Sequence, residues 1–299
     1  MTARLAVVNP AAGRGPGARL RVRARRELAR LLPGIEFVET GRPGHATELA
    51  QGVSGGLLVA VGGDGTVREV AAGLAGRADA PELALVPVGS GNDLARNLGI
   101  PQETAAACRV AVEGRPRAID AARVISEGRE TLFVNAAGFG FDARVIQEAR
   151  RLRHLRGLPL YVGAVMLAVR NFDCPRVRLA VDGETREESV LLVAAANGRC
   201  YGGGMKVAPG AEPDDGRLEV CVIRACGRAR IMSCLPRLVR GTHGGMPEVS
   251  FLSGATVELE FAAPVPVQLD GDLLDWPGAR RFRLEVLPGA VRVRVPGSR

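Results

Sequence analysis

The segment Leu57-Leu-Val-Ala-Val-Gly-Gly-Asp-Gly-Thr-Val-Arg-Glu-Val70 decides the fold of this chain. It passes from an apolar run typical of a buried strand, through glycines, an aspartate and a threonine, into a helix with Val67, Val70 and Leu74 on one face. Glycines let the backbone approach a polyanion closely, and the unpaired N–H groups at a helix start attract negative charge. The segment predicts a phosphate-binding turn.

Asp64 makes this turn more than a passive cradle. A carboxylate beside phosphates is repelled unless it acts through a divalent metal or a proton, which favours phosphoryl transfer over simple binding. Gly-Asp-Gly also occurs in ordinary strand-to-helix connections, but the clear strand and helix on either side favour the functional interpretation. Lys206 is the only lysine, so the P-loop and protein-kinase mechanisms, which need an earlier lysine, are excluded.

Composition describes a globular protein with anionic partners. The 299 residues suffice for two domains, 46% are hydrophobic and 24% charged, and the net charge of +8 comes almost entirely from arginine. Eight Phe, two Tyr and one Trp leave few aromatic rings for stacking bases, so nucleic acid is not the expected partner. The six cysteines lack metal or C-x-x-C spacing, and no signal peptide or membrane span is evident. We expect a cytoplasmic protein.

The first third of the chain alternates strands and helices, which predicts a parallel α/β sheet. Strands are expected at residues 5–8, 35–38, 57–61 and 83–88, with helices at 17–32, from 45, from about 66 to 74, and from 92. Ligands of such sheets lie beyond the carboxyl ends of the strands. Four loops follow these ends, namely Asn9-Pro-Ala-Ala-Gly-Arg-Gly15, Thr40-Gly41, Gly62-Gly-Asp-Gly-Thr66 and Gly89-Ser-Gly-Asn-Asp93.

From about residue 118 the pattern changes to strands with tight turns, expected at 132–136, 177–181, 189–195, 217–223, 256–261, 265–269, 281–287 and 291–295. Val181-Asp-Gly-Glu184 and Leu269-Asp-Gly-Asp272 predict hairpin turns, and residues 157–171 predict a helix. We therefore expect a second, β-sandwich-like domain. The expected division is 1–122, completed by a last strand within 288–299, and 123–287, with the active site in the cleft between the two domains.

Several motifs in order resemble the catalytic domain of the diacylglycerol kinase and sphingosine kinase superfamily, and most closely its soluble bacterial lipid kinases. The motifs are Asn9-Pro-Ala-Ala-Gly-Arg-Gly15, Gly62-Gly-Asp-Gly-Thr66 with Glu69, Pro87-Val-Gly-Ser-Gly-Asn-Asp-Leu-Ala-Arg96, Asn135-Ala-Ala-Gly-Phe-Gly-Phe-Asp142, Asn197 with Gly202-Gly-Gly204 and Pro209, Asp214-Asp-Gly216, and Asp270-Gly271. The resemblance spans nearly the whole chain.

The resemblance implies ATP-dependent phosphorylation of a lipid hydroxyl with Mg²⁺. By it, Asp64 organises the catalytic magnesium, and a structural magnesium lies at Asp215 with the carbonyls of Glu212 and Arg217. Asp120 corresponds to an aspartate of a polar network that joins this metal to the active site. The implied nucleotide contacts are Asn9, Thr40, Gly63, Asp64, Gly65, Thr66, Val67, Arg68, Glu69 and Ser90.

Two positions depart from the family pattern. The usual Asp-Gly-Glu, with the glutamate as general base, is Asp270-Gly-Asp272 here, so Asp272 is the expected base with one methylene less of reach. The alternative is an ordinary hairpin residue, and altered activity or substrate follows if the reach is too short. Arg68 stands where many relatives have asparagine, either to pair a phosphate or to lie on the helix surface.

The sequence indicates less about the lipid acceptor and about the partners of the protein. The basic run at 144–156, just before the apolar residues 158–169, suits an anionic membrane surface, at which the protein would dock transiently on its cytoplasmic side. A solvated helix face followed by a core helix explains it equally well. Which lipid carries the hydroxyl is open, and a homodimer is only a family-level expectation. The alternatives are an enzyme like NAD kinase, which shares the Gly-Gly-Asp-Gly-Thr loop, and a lipid-binding pseudokinase.

Overall fold

A computed structural model describes residues 4–13, 16–152, 157–171 and 173–297. Arg14 and Gly15 of the first loop, and Arg153, His154 and Arg156 of the basic run, lie outside the described residues. The N-terminal part alternates strands and helices: β1 Arg4–Val8, α1 Pro16–Leu31, β2 Glu36–Glu39, α2 His45–Gln51, β3 Leu57–Gly62, α3 Asp64–Leu74, β4 Glu82–Pro87, α4 Asp93–Asn97 and α5 Thr104–Glu113.

The rest of the chain is mainly β-structure, with three α-helices in its described part. Its elements are β5 Arg115–Ser126, β6 Arg129–Phe133, β7 Ala136–Gly140, α6 Phe141–Arg151, α7 Gly157–Asn171, β8 Arg176–Val181, β9 Glu184–Ala196, β10 Leu218–Arg224, α8 Arg228–Arg240, a 3-10 turn His243–Gly245, β11 Val249–Gly254, β12 Thr256–Phe261, β13 Val267–Leu269, β14 Asp272–Leu273 and β15 Arg281–Val295.

The N-terminal strands form a parallel sheet in the order β2-β1-β3-β4. Every residue of β3 is buried, because helices cover both faces of the sheet, and this explains its unbroken apolar sequence. The strand order reverses between β1 and β3, so the loops after these two strands flank the crevice where such sheets bind ligands. Backbone hydrogen bonds fasten these loops together: Asn9 donates to Val61 O and Val88 to Gly62 O.

The C-terminal part is a β-sandwich-like unit, and the predicted fold class is confirmed. Antiparallel pairing joins β13, β7, β9 and β10 in one layer and β8, β12, β15 and β5 in the other, with an apolar core between them. Helices α6, α7 and α8 pack on the outer face of the first layer and bury a second apolar cluster. No helix in the described ranges is long and apolar enough to cross a bilayer.

Two long strands, β5 and β15, run through both parts of the molecule. They pair antiparallel over nearly their whole length, while β15 also pairs with β12 and, in parallel, with β4 at Val293 and Leu83. The β5–β15 register shifts between Leu287 and Val291. Asp120 of β5 lies at this irregularity and accepts the N–H of Gly289 at 2.7 Å.

Both predicted hairpin turns are confirmed. Asp182-Gly183 connects β8 to β9, and Asp270-Gly271 connects β13 to β14. In each turn both central residues have positive φ, with Asp182 at 48° and Asp270 at 49°, which is the type I′ geometry that Asp-Gly favours.

Three details of the predicted elements are wrong. The strand expected at 132–136 is two strands, since the N–H groups of Val134 and Asn135 donate to the Asp270 carboxylate instead of to a neighbouring strand. The strands expected at 281–287 and 291–295 are one, because the Pro288-Gly289 pair forms a bulge rather than a turn. Strands β5, β11 and β14 and helices α5, α6 and α8 were not predicted; in α8, Pro236 weakens the helical pattern.

Candidate functional site

A polar cleft of about 560 Å³ opens at the carboxyl ends of β1, β3 and β4 and is closed on its far side by loops of the C-terminal part. Its walls come from both parts of the molecule. They are Asn9, Ala12, Gly13, Gly63, Asp64, Gly65, Thr66, Glu69, Gly89, Ser90, Gly91, Asp93, Ile146, Gly202, Gly203, Asp270, Gly271 and Asp272. Three of the four predicted loops therefore meet in one cleft, together with Asp272.

The glycines of this cleft are required by close backbone approach. A Cβ on Gly89 would lie 2.5 Å from the Cα of Gly63, so the loops after β3 and β4 pack back to back. A Cβ on Gly62 would lie 2.4 Å from the Cβ of Thr66. Backbone atoms, rather than side chains, therefore form this part of the cleft surface, which suits a polyanionic ligand.

Asn9 and Thr66 join the first loop to the phosphate-binding turn. Asn9 Nδ2 donates to Thr66 Oγ1 at 2.8 Å, and Asn9 Oδ1 accepts the N–H of Ala11 at 2.9 Å. Thr66 is 5% exposed. These side chains hold the two loops in register beside the cleft.

Asp64 faces the loop that follows β4. Its carboxylate oxygens accept the N–H groups of Asn92 and Asp93, both at 2.7 Å. Burial, and then repulsion from the Asp93 carboxylate, raise the pKa of Asp64 to about 6. Asp64 thus fixes the start of α4 while it keeps lone pairs at the cleft wall, and a nearby cation would favour its ionised form.

Glu69 fastens α3 to the start of α2. Its oxygens accept the N–H groups of Gly44 at 3.0 Å and Ala46 at 3.2 Å, and Thr47 Oγ1 donates to its backbone carbonyl. Because Glu69 also lines the cleft, it ties this edge of the cleft to the start of α2.

Asp272 projects from the β13–β14 hairpin onto the first turn of α3. A Cβ on Gly65 would lie 2.6 Å from Asp272 Oδ2, so glycine at position 65 makes room for the carboxylate. Arg68 Nη2 donates to Asp272 Oδ2 at 3.3 Å, and the Asp272 side chain remains 52% exposed. The two departures from the family pattern are therefore one ion pair, an outcome that neither interpretation of Arg68 included.

Some predicted residues do not line this cleft in the described part of the chain. Val67 is buried in the core beside the sheet, and Thr40 directly follows β2 and donates its N–H to Val8 O. Asp120 lies on β5, where its oxygens accept the N–H groups of Gly216 and Gly289, both at 2.7 Å. Asp120 thus holds the loop at 213–217 against the β15 bulge.

The loop at 212–217 carries three carboxylates, and two of them pair with arginines. Arg117 pairs with Asp214 at 2.7 Å and lowers the pKa of that carboxyl, and Arg199 pairs with Glu212 at 3.5 Å. Asp215 accepts the N–H of Arg217 at 3.0 Å. Among the described residues there is no group of three or more acidic, His or Cys side chains that could hold a metal. A magnesium ion at Asp215 would therefore take one exposed carboxylate and fill most of its coordination sphere with water.

Sequence reasoning missed the roles of two aspartates at the cleft, Asp93 from the N-terminal part and Asp270 from the C-terminal part. The Asp93 carboxylate accepts the N–H groups of Gly203 at 2.9 Å and Gly204 at 2.8 Å. The Asp270 carboxylate accepts three N–H groups, from Val134, Asn135 and Ala136 at 2.9–3.0 Å. Both lie in motifs that the sequence displays, but their roles depend on loops more than 100 residues away.

An apolar pocket of about 270 Å³ adjoins the cleft and shares Ile146, Gly202 and Gly271 with it. Helices α6, α7 and α8 and strand β9 supply most of its walls. The lining residues are Phe141, Asp142, Val145, Ile146, Ala149, Leu160, Ala164, Leu192, Tyr201, Gly202, Met205, Val207, Leu235, Leu238, Gln268 and Gly271. Among them, Asp142 is the one charged residue.

Asp142 is held by neutral donors. Tyr201 Oη donates to its carboxylate at 3.0 Å, Gln268 Nε2 at 3.1 Å and the Ala143 N–H at 2.7 Å. Burial raises the pKa of Asp142 to about 6. The Hα side of Gly138 faces this carboxylate, since a Cβ there would lie 1.7 Å from Asp142 Oδ2. The pocket therefore offers an apolar volume with one polar anchor.

The glycine-walled cleft and the apolar pocket meet at the hairpin that carries Asp272, an arrangement that suits a kinase acting on an apolar acceptor. Comparison with known proteins agrees. A family model described as the diacylglycerol kinase catalytic domain matches residues 4–124, and one described as the YegS C-terminal NAD kinase beta sandwich-like domain matches residues 135–295. The chain belongs to this family of bacterial lipid kinases.

Named relatives cover most of the chain. A protein named probable lipid kinase YegS-like from Pectobacterium atrosepticum is 35% identical over 80% of this chain and 78% of that protein. A diacylglycerol kinase from Mycobacterium tuberculosis is 32% identical over 88% of this chain and 90% of its own length. The crystal structure of a diacylglycerol kinase from Bacillus anthracis matches with a TM-score of 0.72 over 98% of this chain and 97% of that one, at 23% identity, which shows likeness of fold.

Proposed function

We propose that this kinase transfers the γ-phosphoryl group of ATP, with Mg²⁺, to a hydroxyl of a lipid such as diacylglycerol. The observation that carries the proposal is the position of Asp272. It lies against Gly65 at the wall of the cleft, on the hairpin whose Gly271 also lines the apolar pocket. A lipid whose tail fills the pocket brings its hydroxyl to this boundary, where the nucleotide in the cleft ends.

The chain's own residues account for most of the required chemistry. Backbone N–H groups of the glycine loops hold the phosphates, and the Asn9–Thr66 pair and Glu69 keep those loops in place. Asp272 accepts the proton of the lipid hydroxyl. The hydroxyl oxygen of the lipid forms a bond to the γ-phosphorus, while the bond from this phosphorus to the leaving ADP oxygen breaks. Magnesium, when bound near Asp64, neutralises phosphate charge.

Arg68 restrains the general base in this proposal. Its guanidinium holds the shorter Asp272 side chain on the turn of α3, so the carboxylate has a defined place without the extra methylene of a glutamate. Because Arg68 contacts Oδ2, a substrate hydroxyl that reaches Asp272 can hydrogen-bond to the acceptor positions that remain on this carboxylate. The pair thus supports catalysis by an Asp-Gly-Asp turn.

The test is transfer of labelled γ-phosphate from ATP to detergent-dispersed lipids and to NAD, with and without magnesium. Asp64→Ala and Asp272→Ala should each lower lipid phosphorylation by roughly 100-fold or more, since each removes a group acting on the transferred phosphoryl or proton. Asp275→Ala, an exposed carboxylate three residues beyond Asp272, is the matched control and should keep wild-type activity.

Other outcomes identify the alternatives. Transfer to NAD but to no lipid would replace the proposal with an NAD kinase-like activity. ATP binding without transfer to any acceptor would favour a lipid-binding pseudokinase. Loss of activity in Asp64→Ala but not in Asp272→Ala would assign the base to another residue.

A further inference from the structure

Helices α7 and α8 carry most of the exposed apolar surface in the described part of the chain. Its large exposed apolar side chains are Val162 and Met166 on α7, Met232 and Val239 on α8, and Val22 on α1. Exposure is 47% and 52% for the α7 pair and 38% and 55% for the α8 pair. Four of these five side chains therefore lie on two helices that pack against each other.

The same two helices carry arginines without acidic partners. Arg170, Arg228, Arg237 and Arg240 are exposed and form no ion pair with any described residue. Neither helix contains an acidic residue. We call the exposed side chains of Val162, Met166 and Arg170 on α7 and of Arg228, Met232, Arg237, Val239 and Arg240 on α8 the α7–α8 face.

Spacing places these groups together on each helix. Residues 162, 166 and 170 of α7 recur every four positions, and residues 228, 232 and 239 of α8 recur after four and seven positions, while Arg237 and Arg240 lie farther around the exposed side of α8. Arg228 Nη2 donates to the backbone carbonyl of Arg170 at 3.2 Å, which joins the end of α7 to the start of α8. The two stripes are thus parts of one surface.

The neighbouring helix α6 shows a different arrangement of charge. Its acidic residue Glu148 is 1% exposed and pairs with Arg144 at 3.0 Å and Arg151 at 2.9 Å. Arg144 and Arg151 are therefore paired within α6, whereas the positive charge of the α7–α8 face is left for an external partner.

The α7–α8 face lies over the apolar pocket. The inner sides of the same helices line it, through Leu160 and Ala164 on α7 and Leu235 and Leu238 on α8. Exposed apolar side chains beside arginines match the boundary of a bilayer, where acyl chains lie next to lipid phosphates. The apolar pocket behind this face could then receive an acyl chain.

We propose that the α7–α8 face docks on a bilayer surface that contains anionic lipids. The valine and methionine side chains enter the boundary between headgroups and acyl chains, and the arginines contact lipid phosphates. This proposal deepens the proposed function by naming the surface from which the pocket takes its lipid. Docking itself requires no phosphoryl transfer, so the two can be tested separately.

Sedimentation with vesicles tests the charged part of the face. The wild-type protein should bind vesicles of phosphatidylcholine with phosphatidylglycerol, and bind vesicles of phosphatidylcholine alone far more weakly. Arg237→Glu/Arg240→Glu should weaken binding to the anionic vesicles by about tenfold or more. Arg19→Glu/Arg26→Glu on α1 makes the same change of charge at exposed positions near exposed Val22, and should bind like the wild type.

A second variant tests the apolar part. Met232→Gln/Val239→Gln removes apolar surface at exposed positions, so its thermal midpoint should match the wild type while vesicle binding falls several-fold. Both α8 variants should keep wild-type phosphorylation of a detergent-dispersed lipid, because none of these residues lines the cleft or the pocket.

Three results would overturn the docking proposal. They are unchanged vesicle binding in both α8 variants, an equal loss in the α1 control, and a wild-type dimer that the α8 substitutions dissociate, which would assign the face to a second copy of the chain. Failure of the proposed function looks different, since vesicle binding then responds to the α8 substitutions although no lipid is phosphorylated.

Discussion

The polar cleft and the apolar pocket are adjacent, yet they are built in opposite ways. The cleft is made of loop backbone, and four of the five carboxylates that line its described part, all but Asp272, accept backbone N–H groups, as Asp64 does from Asn92 and Asp93. The pocket is made of side-chain volume from three helices and a sheet, and Asp142 is the one acidic or basic side chain among its described lining residues. The cleft is therefore suited to one ligand class, while the pocket can change its acceptor through changes of side-chain size.

The hairpin at Asp270-Gly271-Asp272 is where the two regions meet. Asp270 anchors it to the start of β7, Gly271 lines both cavities, and Asp272 reaches the first turn of α3. Substitutions in this hairpin should therefore affect both the cleft and the pocket, whereas substitutions within the pocket should leave the cleft unchanged.

The largest effect is expected for Asp270→Ala. It leaves three buried N–H groups without an acceptor and places alanine at a φ of 49°, so the free energy of unfolding should fall by about 3 kcal/mol or more. Phosphoryl transfer should be lost with it. Urea unfolding followed by circular dichroism measures the first effect.

Asp182→Ala is the matched control for this substitution. Asp182 occupies the same position in the other Asp-Gly hairpin, with φ of 48°, and accepts the N–H groups of Ala255 and Thr256 at an exposed site. Water can replace it there, so a loss of about 1 kcal/mol and full activity are expected. Equal losses in the two variants would show that the Asp270 hairpin has no special role between the regions.

The next effect concerns Asp142 and pH. Its carboxyl keeps its proton up to a pKa of about 6 in the folded protein but ionises near 3.8 when unfolded, so the folded state binds more protons between these values. The free energy of unfolding should therefore fall as pH rises from about 4 to about 6. Asp142→Asn removes this contribution, and the decrease should be smaller by about 2 kcal/mol.

Asp64 does not confuse this comparison. Its pKa is also about 6, so it contributes a decrease of the same sign, but it contributes equally to the wild type and to Asp142→Asn. Denaturant unfolding at a series of pH values gives the difference directly. Parallel curves for the two proteins would mean that the Asp142 carboxyl is ionised in the folded state across this range.

The contrast between the regions also explains what the sequence could and could not predict. The cleft comes from short motifs, so Asn9, Asp64, Thr66 and Ser90 were placed from local spacing, and the structure gathers them at one sheet edge. Of the pocket walls, by contrast, Val145, Leu192 and Leu235 are ordinary apolar residues whose proximity depends on packing.

Contacts between residues far apart in the sequence could not be predicted either. The pairing of Arg68 with Asp272 joins residues 204 positions apart, and no local pattern announces it. The strand expected at 132–136 was wrong for the same reason, since Asp270, far along the chain, takes the N–H groups that a strand would pair. Composition and periodicity describe neighbours along the chain, whereas these contacts are set by the tertiary fold.

The smallest effect is expected for a substitution that reduces the pocket alone. Ala149 lies on α6 and lines the pocket but not the cleft. Ala149→Phe occupies part of the 270 Å³ volume with a ring, so the apparent KM for a long-chain lipid should rise by about tenfold, equivalent to about 1.4 kcal/mol, while the Kd for ATP stays unchanged. A short-chain lipid should lose less, because its tail needs less of the pocket. Ala29→Phe, at an exposed position of α1, should change neither constant. An Ala149→Phe protein with weaker ATP binding and unchanged lipid KM would reverse the assignment, because the apolar pocket would then belong to the nucleotide.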